Sequence, residues 1–352
     1  MTAMRNARHD KHVGADPDRL PFPGPAMCIV WAPPHMGTRS AWLAHELGID
    51  DVRYIAPTNR RGLLAAPMKY PRQAITTLRA LNSARPRVVL VQSPPSFAAW
   101  TAWLYAVATR SALVIDPHSD AFERAIWTRP RWLNAIVARR SATVIVTNSH
   151  WADLVRSWGA NATVVPAIPT TFEIGPPPPL APGFNVAVVN TWAPDEPLAA
   201  VAAAAALVPE ATFHVTGRDD LAAGLGTHPS NVRFTGFLAE PTYHGLLASS
   251  QAVVCLTTRN HTMQNGACEA LSHGTPVITS NWPVLRAFFS SGAVHVDPSP
   301  EAIAAGVRRV MADHDSYVAG IRSLRELRRR EWLEHRDTLV ALAVDQLARL
   351  RS

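Results

Sequence analysis

A single carboxylate, Glu269, stands in the segment of this chain whose residue types best suit ligand chemistry. The segment, residues 265–283, reads NGACEALSHGTPVITSNWP and predicts a helix, a Gly-Thr-Pro turn and a short buried strand. An apolar strand, AVVCLT, and a polar loop, TTRNHTMQ, lead into it. The free N–H groups and dipole of a helix N-terminus favour phosphate, and a nearby carboxylate can accept hydrogen bonds from paired sugar hydroxyls. The pattern predicts a nucleotide or sugar-phosphate pocket.

Short apolar strands alternate with helical patterns along the whole chain, which predicts an α/β fold. Continuous apolar strands of this kind belong in parallel sheets that are covered on both faces. The strand candidates are MCIVW, VRYIA, RVVLVQ, ALVID, TVIVTN and ATVVPA, followed by NVAVVN, ATFHVTG, NVRFTG, QAVVCLTT, PVITS and AVHVD. Among the helices between them, Ser149 is the predicted N-cap of the one that contains Trp151.

A proline-rich stretch, GPPPPLAPG at 175–183, separates two alternating halves and predicts a stiff linker. A chain of 352 residues is long enough for two domains. Ligands of open parallel sheets bind at the carboxyl ends of strands, so the cleft between the domains is the expected site. We expect a disordered extension over 1–25, a first domain over 26–170, the linker over 171–183, a second domain over 184–315, and C-terminal helices over 316–352 that could pack back on the first domain.

The composition limits the compartment and the partners. The formal net charge is +7, and Arg greatly outnumbers Lys, which fits either a compositional bias or attraction to an acidic surface. The isolated Cys28, Cys255 and Cys268 imply neither a disulfide framework nor a metal site. We expect a cytoplasmic protein, with a peripheral position at the inner membrane face as the alternative. The apolar run at 97–108, FAAWTAWLYAVA, is too short to span a bilayer and predicts a buried helix.

The spacing from Glu269-Ala270 to Gly274-Thr275-Pro276-Val277 resembles the donor-binding signature of GT-B glycosyltransferases. It is most similar to the retaining family-4-like group, the glycosyl transferases group 1. NVRFTGFL at 231–238 and HVTG at 214–217 resemble further parts of that pattern. The resemblance implies a GT-B-like fold, in which two Rossmann-like domains with parallel sheets face a central cleft. A helix that merely ends at Gly274 would explain the glycine but not the whole spacing.

The resemblance implies a donor site built on the predicted helix. Glu269 would hold the ribose hydroxyls, and Phe237 and Leu238 would lie along the base. The backbone at the helix N-terminus would cradle the diphosphate through Gln264, Asn265, Gly266, Ala267 and Cys268.

Two departures from the family pattern concern the sugar and the phosphates. His261 occupies the position where the family usually has its first Glu, which contacts the donor sugar. A neutral imidazole can still hydrogen-bond there, with different selectivity. The basic residues that the family places after the first strand of the second domain are also absent, because this loop reads NTWAPDEP. Arg218 or Arg259 could neutralise phosphate instead, although a solvated surface residue is the simpler interpretation of each.

The first domain offers acceptor-side and catalytic candidates. The loop PPHMGTRSAWLAHELG at 33–48 is similar to the family's acceptor-side loop; Gly37 would allow close backbone approach, and Arg39 would meet a phosphate. An ordinary strand-to-helix turn would explain that loop equally well. His118 follows a buried strand where family members often have a His facing the donor sugar, and Asp116 could orient its ring. A structural role for His118 is the alternative.

Residues 124–140, RAIWTRPRWLNAIVARR, contain five Arg, two Trp and no acid. Trp and Arg together favour membrane interfaces, so this segment is a candidate for peripheral membrane contact. A surface helix in an Arg-rich chain is the simpler interpretation. Nucleic-acid binding would need similar charge, but no recognition motif accompanies it, so we expect no nucleic-acid partner.

The sequence therefore predicts a glycosyltransferase that moves a sugar from a nucleotide-sugar donor to an unidentified glycan or lipid-linked acceptor. By resemblance it would be retaining and would need neither a metal nor a cofactor, with His118 and His261 as the catalytic candidates. The alternatives are a nucleotide-sugar epimerase of the same fold and a catalytically silent nucleotide-binding protein. A dinucleotide-dependent dehydrogenase is disfavoured, because no Gly-x-Gly-x-x-Gly follows the first strand.

Overall fold

A computed structural model describes residues 22, 24–33, 38–56, 66–218, 220 and 228–352 of the chain. Its first sheet has six parallel strands in the order β2-β1-β3-β4-β5-β6. The strands are β1 Ala26–Val30, β2 Asp51–Tyr54, β3 Val88–Ser93, β4 Ala112–Pro117, β5 Thr143–Val146 and β6 Ala162–Val164. The helices of this half are α1 Thr38–Glu46, α2 Ala66–Ala84, α3 Ser96–Thr109, α4 Asp120–Glu123, α5 Ala125–Thr128, α6 Arg131–Arg140 and α7 Ser149–Ser157.

A second sheet repeats this architecture, with six parallel strands in the order β12-β11-β10-β7-β8-β9. The strands are β7 Phe184–Val188, β8 Ala211–Thr216, β9 Val232–Gly236, β10 Ala252–Cys255, β11 Val277–Ser280 and β12 Ala293–Val296. The helices are α8 Leu198–Leu207, α9 Glu240–Ser249, α10 Asn265–His273, α11 Pro283–Phe288, α12 Pro300–Ala312 and α13 His314–Arg349. The predicted α/β class with parallel sheets is confirmed.

The strand order of the second sheet locates a crevice. β7 lies between β8 and β10, so the chain leaves β7 and β10 in opposite directions and their following loops diverge. Such a switch point opens a crevice at the carboxyl ends of the two strands. The loop at 256–264, which carries several predicted site residues, leaves β10 at this point.

Helix α13 belongs to the cores of both halves. Ile321 and Leu324 are buried among residues of the second sheet and its helices. Further along the same helix, Trp332 and Leu339 are buried with residues of the first sheet. Near its end, the Gln346 side chain accepts a hydrogen bond from the Leu113 N–H of β4 at 2.9 Å. The 36-residue helix therefore runs from the second half back onto the first.

The segment between the two sheets, residues 165–183, contains neither helix nor strand. The Gly175 N–H donates to the Pro241 carbonyl at 2.8 Å, so this segment is held against the start of α9. The domain boundaries expected at 170 and 183 stay predictions. Phe22, which the sequence analysis assigned to a disordered extension, is buried in the core of the first half.

Two local predictions were wrong. The N-cap of α7 is Asn148 and not Ser149, because the extended Asn148 places its side-chain oxygen 3.2 Å from the Trp151 N–H. The second error concerns α3, which was expected to be buried. Its Ala98 and Ala102 do face the core, but Leu104 is 56% exposed and Val107 is 53% exposed on the other side. In the described part of the chain, no helix is long and apolar enough to cross a membrane.

Gly217, directly after β8, closes the ends of β7 and β8 against each other. A Cβ at this position would lie 2.3 Å from the Asn190 backbone oxygen, and the φ angle is +97°. Gly183 has a similar φ of +95° but no atom within 4 Å of the equivalent position. The two glycines therefore share the backbone requirement and differ only in the close contact.

We expect Gly217→Ala to lower the free energy of unfolding by about 1–3 kcal/mol more than Gly183→Ala, because only the first adds overpacking to left-handed strain. Urea denaturation of the two variants beside the wild type measures the difference. Equal losses would show that the contact with Asn190 relaxes without cost.

Candidate functional site

The N-terminus of α10 lies in the crevice formed at the ends of β7 and β10. Gln264, the residue before the helix, is extended and provides no side-chain cap. Its side-chain oxygen instead accepts from the Thr279 hydroxyl at 3.0 Å, and its carbonyl accepts from the Cys268 N–H at 3.2 Å. Within the described residues, no backbone carbonyl accepts from the N–H groups of Asn265 or Gly266. The first turn of α10 thus presents unpaired donors at the positive end of the helix dipole.

Gly266 allows this helix end to reach the strands. A Cβ there would lie 2.5 Å from Val189 Cγ1 and 3.1 Å from Cys255 Sγ. Ala267 and Cys268 are buried behind it, and Asn265 is exposed. Burial raises the pKa of Cys268 to about 12, so this thiol stays protonated and cannot act as a nucleophile. The predicted cradle from Gln264 to Cys268 is therefore a backbone surface that opens to solvent at Asn265.

Glu269 lies one residue past this cradle, half-buried, and its carboxylate is held by a residue that the sequence analysis missed. The Tyr243 hydroxyl on α9 donates to Glu269 Oε2 at 2.5 Å. Burial raises the pKa of Glu269 to about 7, the nearby Glu240 adds to the rise, and the Tyr243 hydrogen bond opposes it. Burial and Glu269 together raise the pKa of Tyr243 well above its ordinary value, so it remains a donor.

Acidic residues occupy the loop after β7, where the family pattern would have bases. The Thr257 hydroxyl donates to Asp195 Oδ2 at 2.6 Å, which ties the loop after β7 to the loop after β10. Glu196 accepts from the N–H groups of Thr191 at 2.8 Å and Ala193 at 2.9 Å. These carboxylates fix the loop geometry but add negative charge near the helix N-terminus. A bound diphosphate would need its neutralising cations from other elements.

Arg259, one of the two predicted phosphate partners, makes an ion pair across the cleft. Its Nη2 donates to Asp120 Oδ1 at 3.2 Å and also to the Glu123 carboxylate, both on α4 of the first half. The other predicted partner, Arg218, is exposed at the end of β8, where its Nη2 lies 2.6 Å from Asp220 Oδ2. The structure thus holds both guanidinium groups against acids of the chain itself.

His261 lies at the boundary between the two halves. Its backbone is left-handed, with φ +58°. Its carbonyl accepts from Asn148 Nδ2 at 2.8 Å and from Trp151 Nε1 at 3.2 Å, both on the first half. Its ring stacks on that of His150, with 3.8 Å between centroids and 9° between planes. Burial and His150 lower the pKa of His261, so a neutral imidazole stands beside a cavity of about 410 Å³ between the halves.

His118 and Asp116 meet at the end of β4, together with a serine that the sequence analysis did not select. Asp116 is fully buried and accepts from the Ser40 hydroxyl at 2.8 Å. His118 Nε2 lies 3.8 Å from Asp116 Oδ2 and 3.4 Å from Ser40 Oγ. Burial alone would raise the pKa of Asp116, but Arg39, His118 and Ser40 lower it to about 2. The permanent carboxylate therefore orients the imidazole through charge, and Ser40 contacts both groups.

The acceptor-side candidates are only partly described. Arg39 donates to the Pro166 carbonyl at 3.2 Å and to the Val165 carbonyl at 3.1 Å, and its Nε lies 3.6 Å from Asp116 Oδ1. Its guanidinium thus joins α1 to the segment after β6 and does not extend into open solvent. Gly37 lies outside the described residues.

The predicted base-contact residues follow β9. Phe237 is 79% exposed, while Leu238 is partly buried against the core beneath α10. An exposed aromatic ring at the end of a parallel strand is available to a flat ligand. No three His, Cys, Asp or Glu side chains of the described ranges come together as a group that could hold a metal ion.

Both halves of the chain match models of known protein families. Residues 1–171 match the glycosyl transferase 4-like domain. Residues 186–313 match the glycosyl transferases group 1. No curated protein matches the chain.

Several solved structures share the fold over most of their length. The sucrose-phosphate synthase of Thermosynechococcus elongatus is 16% identical with a TM-score of 0.64, covering 92% of this chain and 98% of that chain. HepE of Anabaena, solved with UDP-glucose, is 13% identical with a TM-score of 0.66, covering 92% and 99%. A putative UDP-N-acetylglucosamine 2-epimerase from Listeria monocytogenes is 13% identical with a TM-score of 0.57, covering 86% and 91%. These likenesses confirm the GT-B-like fold, which transferases and an epimerase share.

The raised pKa of Glu269 predicts how stability changes with pH. The pKa of Glu269 is about 7 in the folded state and 4.5 ordinarily. Between these two values the folded protein holds a proton that the unfolded chain has lost, so the folded state loses stability as the pH rises through this range. Glu269→Gln lacks this loss. We therefore expect its free energy of unfolding, relative to that of the wild type, to increase by about 1–3 kcal/mol as the pH is raised from about 5 to about 8.

Urea denaturation across that range measures the difference, with Glu301→Gln on α12 as an exposed control that should not reproduce it. A difference between Glu269→Gln and wild type that stays flat with pH would contradict the assigned protonation of Glu269.

Proposed function

Because the chain belongs to the family-4-like GT-B glycosyltransferases, we propose that it transfers a sugar from a nucleotide-sugar donor to a glycan or lipid-linked acceptor with retention and without a metal. The observation that carries the donor assignment is the pairing of Glu269 with the open N-terminus of α10. The two features provide a hydroxyl acceptor and anion donors about one helical turn apart. A ribose and its diphosphate need this combination.

The donor would bind along the crevice at the ends of β7, β9 and β10. Tyr243 holds one oxygen of Glu269, so Oε1 is left for the ribose hydroxyls. The diphosphate would lie on the N–H groups of Asn265 and Gly266, and the base on the exposed ring of Phe237 with Leu238 beside it. HepE was solved with UDP-glucose, so uridine nucleotides are the first donors to test.

The chemistry proposed is cleavage of the bond between the sugar's anomeric carbon and the diphosphate, with a new bond formed from that carbon to an acceptor oxygen. The acceptor's proton passes to the departing phosphate. The first turn of α10 and an Arg stabilise the negative charge on the leaving group, which is the role that a metal would otherwise have. His118 and His261 position the sugar. Transfer in the presence of a chelator tests whether the reaction needs a metal. The anomeric configuration of the product tests whether it proceeds with retention.

The acceptor would approach from the first domain, past His118, Ser40 and the loop that contains Gly37. Arg39 is held by carbonyls of the segment after β6, so its proposed phosphate contact requires an exchange of partners. The Arg- and Trp-rich residues 124–140 remain the proposed membrane contact, with Trp132 at 65% exposure.

Removing the Glu269 carboxylate should abolish nucleotide recognition. A nucleoside diphosphate at about 100 times its dissociation constant stabilises the wild type by about 2.7 kcal/mol, and Glu269→Ala should lose this thermal response. Glu301→Ala, an exposed glutamate of α12, should keep it. A full response in Glu269→Ala would mean that the helix N-terminus binds phosphate alone. Nucleotide binding without any donor hydrolysis or transfer would overturn the proposed reaction.

Arg259 can serve a diphosphate only if it leaves Asp120 and Glu123. We expect Asp120→Asn with Glu123→Gln to tighten nucleoside diphosphate binding about fivefold, because the guanidinium is released. Arg259→Ala should weaken binding about tenfold and remove the effect of the two acid substitutions, which is the non-additivity of a shared partner.

Isothermal titration of the single and combined variants measures these constants. The exposed pair Arg308–Glu210, with 2.9 Å between Nε and Oε1, is the matched control, and its removal should leave binding unchanged. Unchanged binding in both Arg259→Ala and the acid variant would place the diphosphate elsewhere, with Arg218 as the next candidate.

A further inference from the structure

Helix α3 has an outer surface without a charged residue. Its 14 residues read SFAAWTAWLYAVAT. Ala98, Ala102 and Ala106 face the core, whereas Leu104 and Val107 are each more than half exposed. A helix that is apolar on all sides is normally covered on all sides. The exposed side of α3 is therefore a surface that gains free energy if something other than water covers it.

The helices that pack beside α3 also expose large apolar side chains. Ile75 of α2 is 50% exposed, Ile126 of α5 is 57% exposed, and Trp132 of α6 is 65% exposed. We call these three side chains, with Leu104 and Val107, the apolar platform. Of the twelve large apolar side chains exposed in the described residues, seven lie on α2, α3, α5 and α6, so the exposure is concentrated on these helices.

The helices that carry the platform are fixed to one another. The Tyr70 ring of α2 lies 4.8 Å from the Phe97 ring of α3, which in turn lies 4.9 Å from Trp100. Trp100 Nε1 donates to the Asn134 side chain of α6 at 2.8 Å. The platform is thus presented by a packed scaffold, so covering it would not require these helices to become ordered first.

The charge around the platform is mostly positive, and the acids of the adjoining α4, Asp120 and Glu123, are already paired with Arg124 and Arg259. No Asp or Glu occurs in residues 66–115 or 124–152. Basic residues border the apolar ones, with Lys69 and Arg72 on α2 and the exposed Arg129 and Arg131 beside Trp132. A second copy docked through the same surface would bring like charges together. An anionic surface with an apolar interior would attract the basic residues and bury the apolar side chains.

We propose that the apolar platform docks the protein on an anionic lipid bilayer, with Leu104, Val107 and Trp132 entering the headgroup region. Helix α3 starts three residues after β3 ends, at the edge of the first sheet that faces the cleft. Leu104 and Val107 lie in the later turns of this helix, so docking would lay the outer side of α3, which runs away from the cleft, along the bilayer surface. The inference extends the contact proposed for residues 124–140 to α3, and vesicle binding can be measured without any donor or transfer reaction.

Vesicle co-sedimentation of the full chain tests the proposal, with phosphatidylglycerol–phosphatidylcholine vesicles compared with phosphatidylcholine alone. We expect binding to the anionic vesicles that weakens with salt. Leu104→Gln with Val107→Gln should weaken it at least tenfold, and Arg131→Glu with Arg129→Glu at least fivefold. Leu207→Gln on α8, a partly exposed leucine of the second half, and Arg309→Glu on α12 should bind as the wild type does.

Circular dichroism and unfolding temperature identify any variant that is simply misfolded, and Leu104→Ser with Val107→Ser then repeats the test. Equal binding of platform and control variants would overturn the proposal, as would no binding to anionic vesicles at low salt. If the wild type forms concentration-dependent dimers and the platform variants do not, the surface binds a second copy and the proposal is overturned. Tighter binding to a single-stranded oligonucleotide than to vesicles would assign it to nucleic acid.

Discussion

The close approach of α10 to the ends of β7 and β10 is the contact on which the candidate donor crevice depends. Gly266 permits it, because any side chain there would collide with Val189. The approach places unpaired helix N–H groups beside the loops that diverge from the two strands. It also sets Glu269 opposite Tyr243 of α9, so the position of the helix and the orientation of the carboxylate are determined together.

The loop between β10 and α10 connects this crevice to the first half. Arg259 pairs with α4, and the His261 carbonyl accepts two hydrogen bonds from α7 and its cap. Two residues proposed to meet the donor, Arg259 and His261, therefore also contact the first half when no donor is bound. If Arg259 serves a bound diphosphate as proposed, its guanidinium must leave α4, so donor binding would weaken this contact between the halves.

The strands, the parallel sheets and the location of the crevice could be predicted from the sequence, because apolar runs and the Gly-Thr-Pro turn are local signals. The partners of the site residues could not. Tyr243 lies 26 positions before Glu269 and Ser40 lies 76 before Asp116, so only packing brings each pair together. The exposed side of α3 could not be predicted, because an uninterrupted apolar helix normally implies complete burial and the sequence carries no sign of which side is left uncovered.

Helix α13 gives the molecule a mechanical property that neither sheet has by itself. Since one rigid rod is embedded in both cores, the halves cannot separate freely, and any opening of the cleft must rotate about that rod or bend it. Unfolding of the two halves is also coupled, because detaching α13 exposes apolar surface on each of them at once. A cleavage within this helix would therefore loosen the hinge and weaken both cores in a single event.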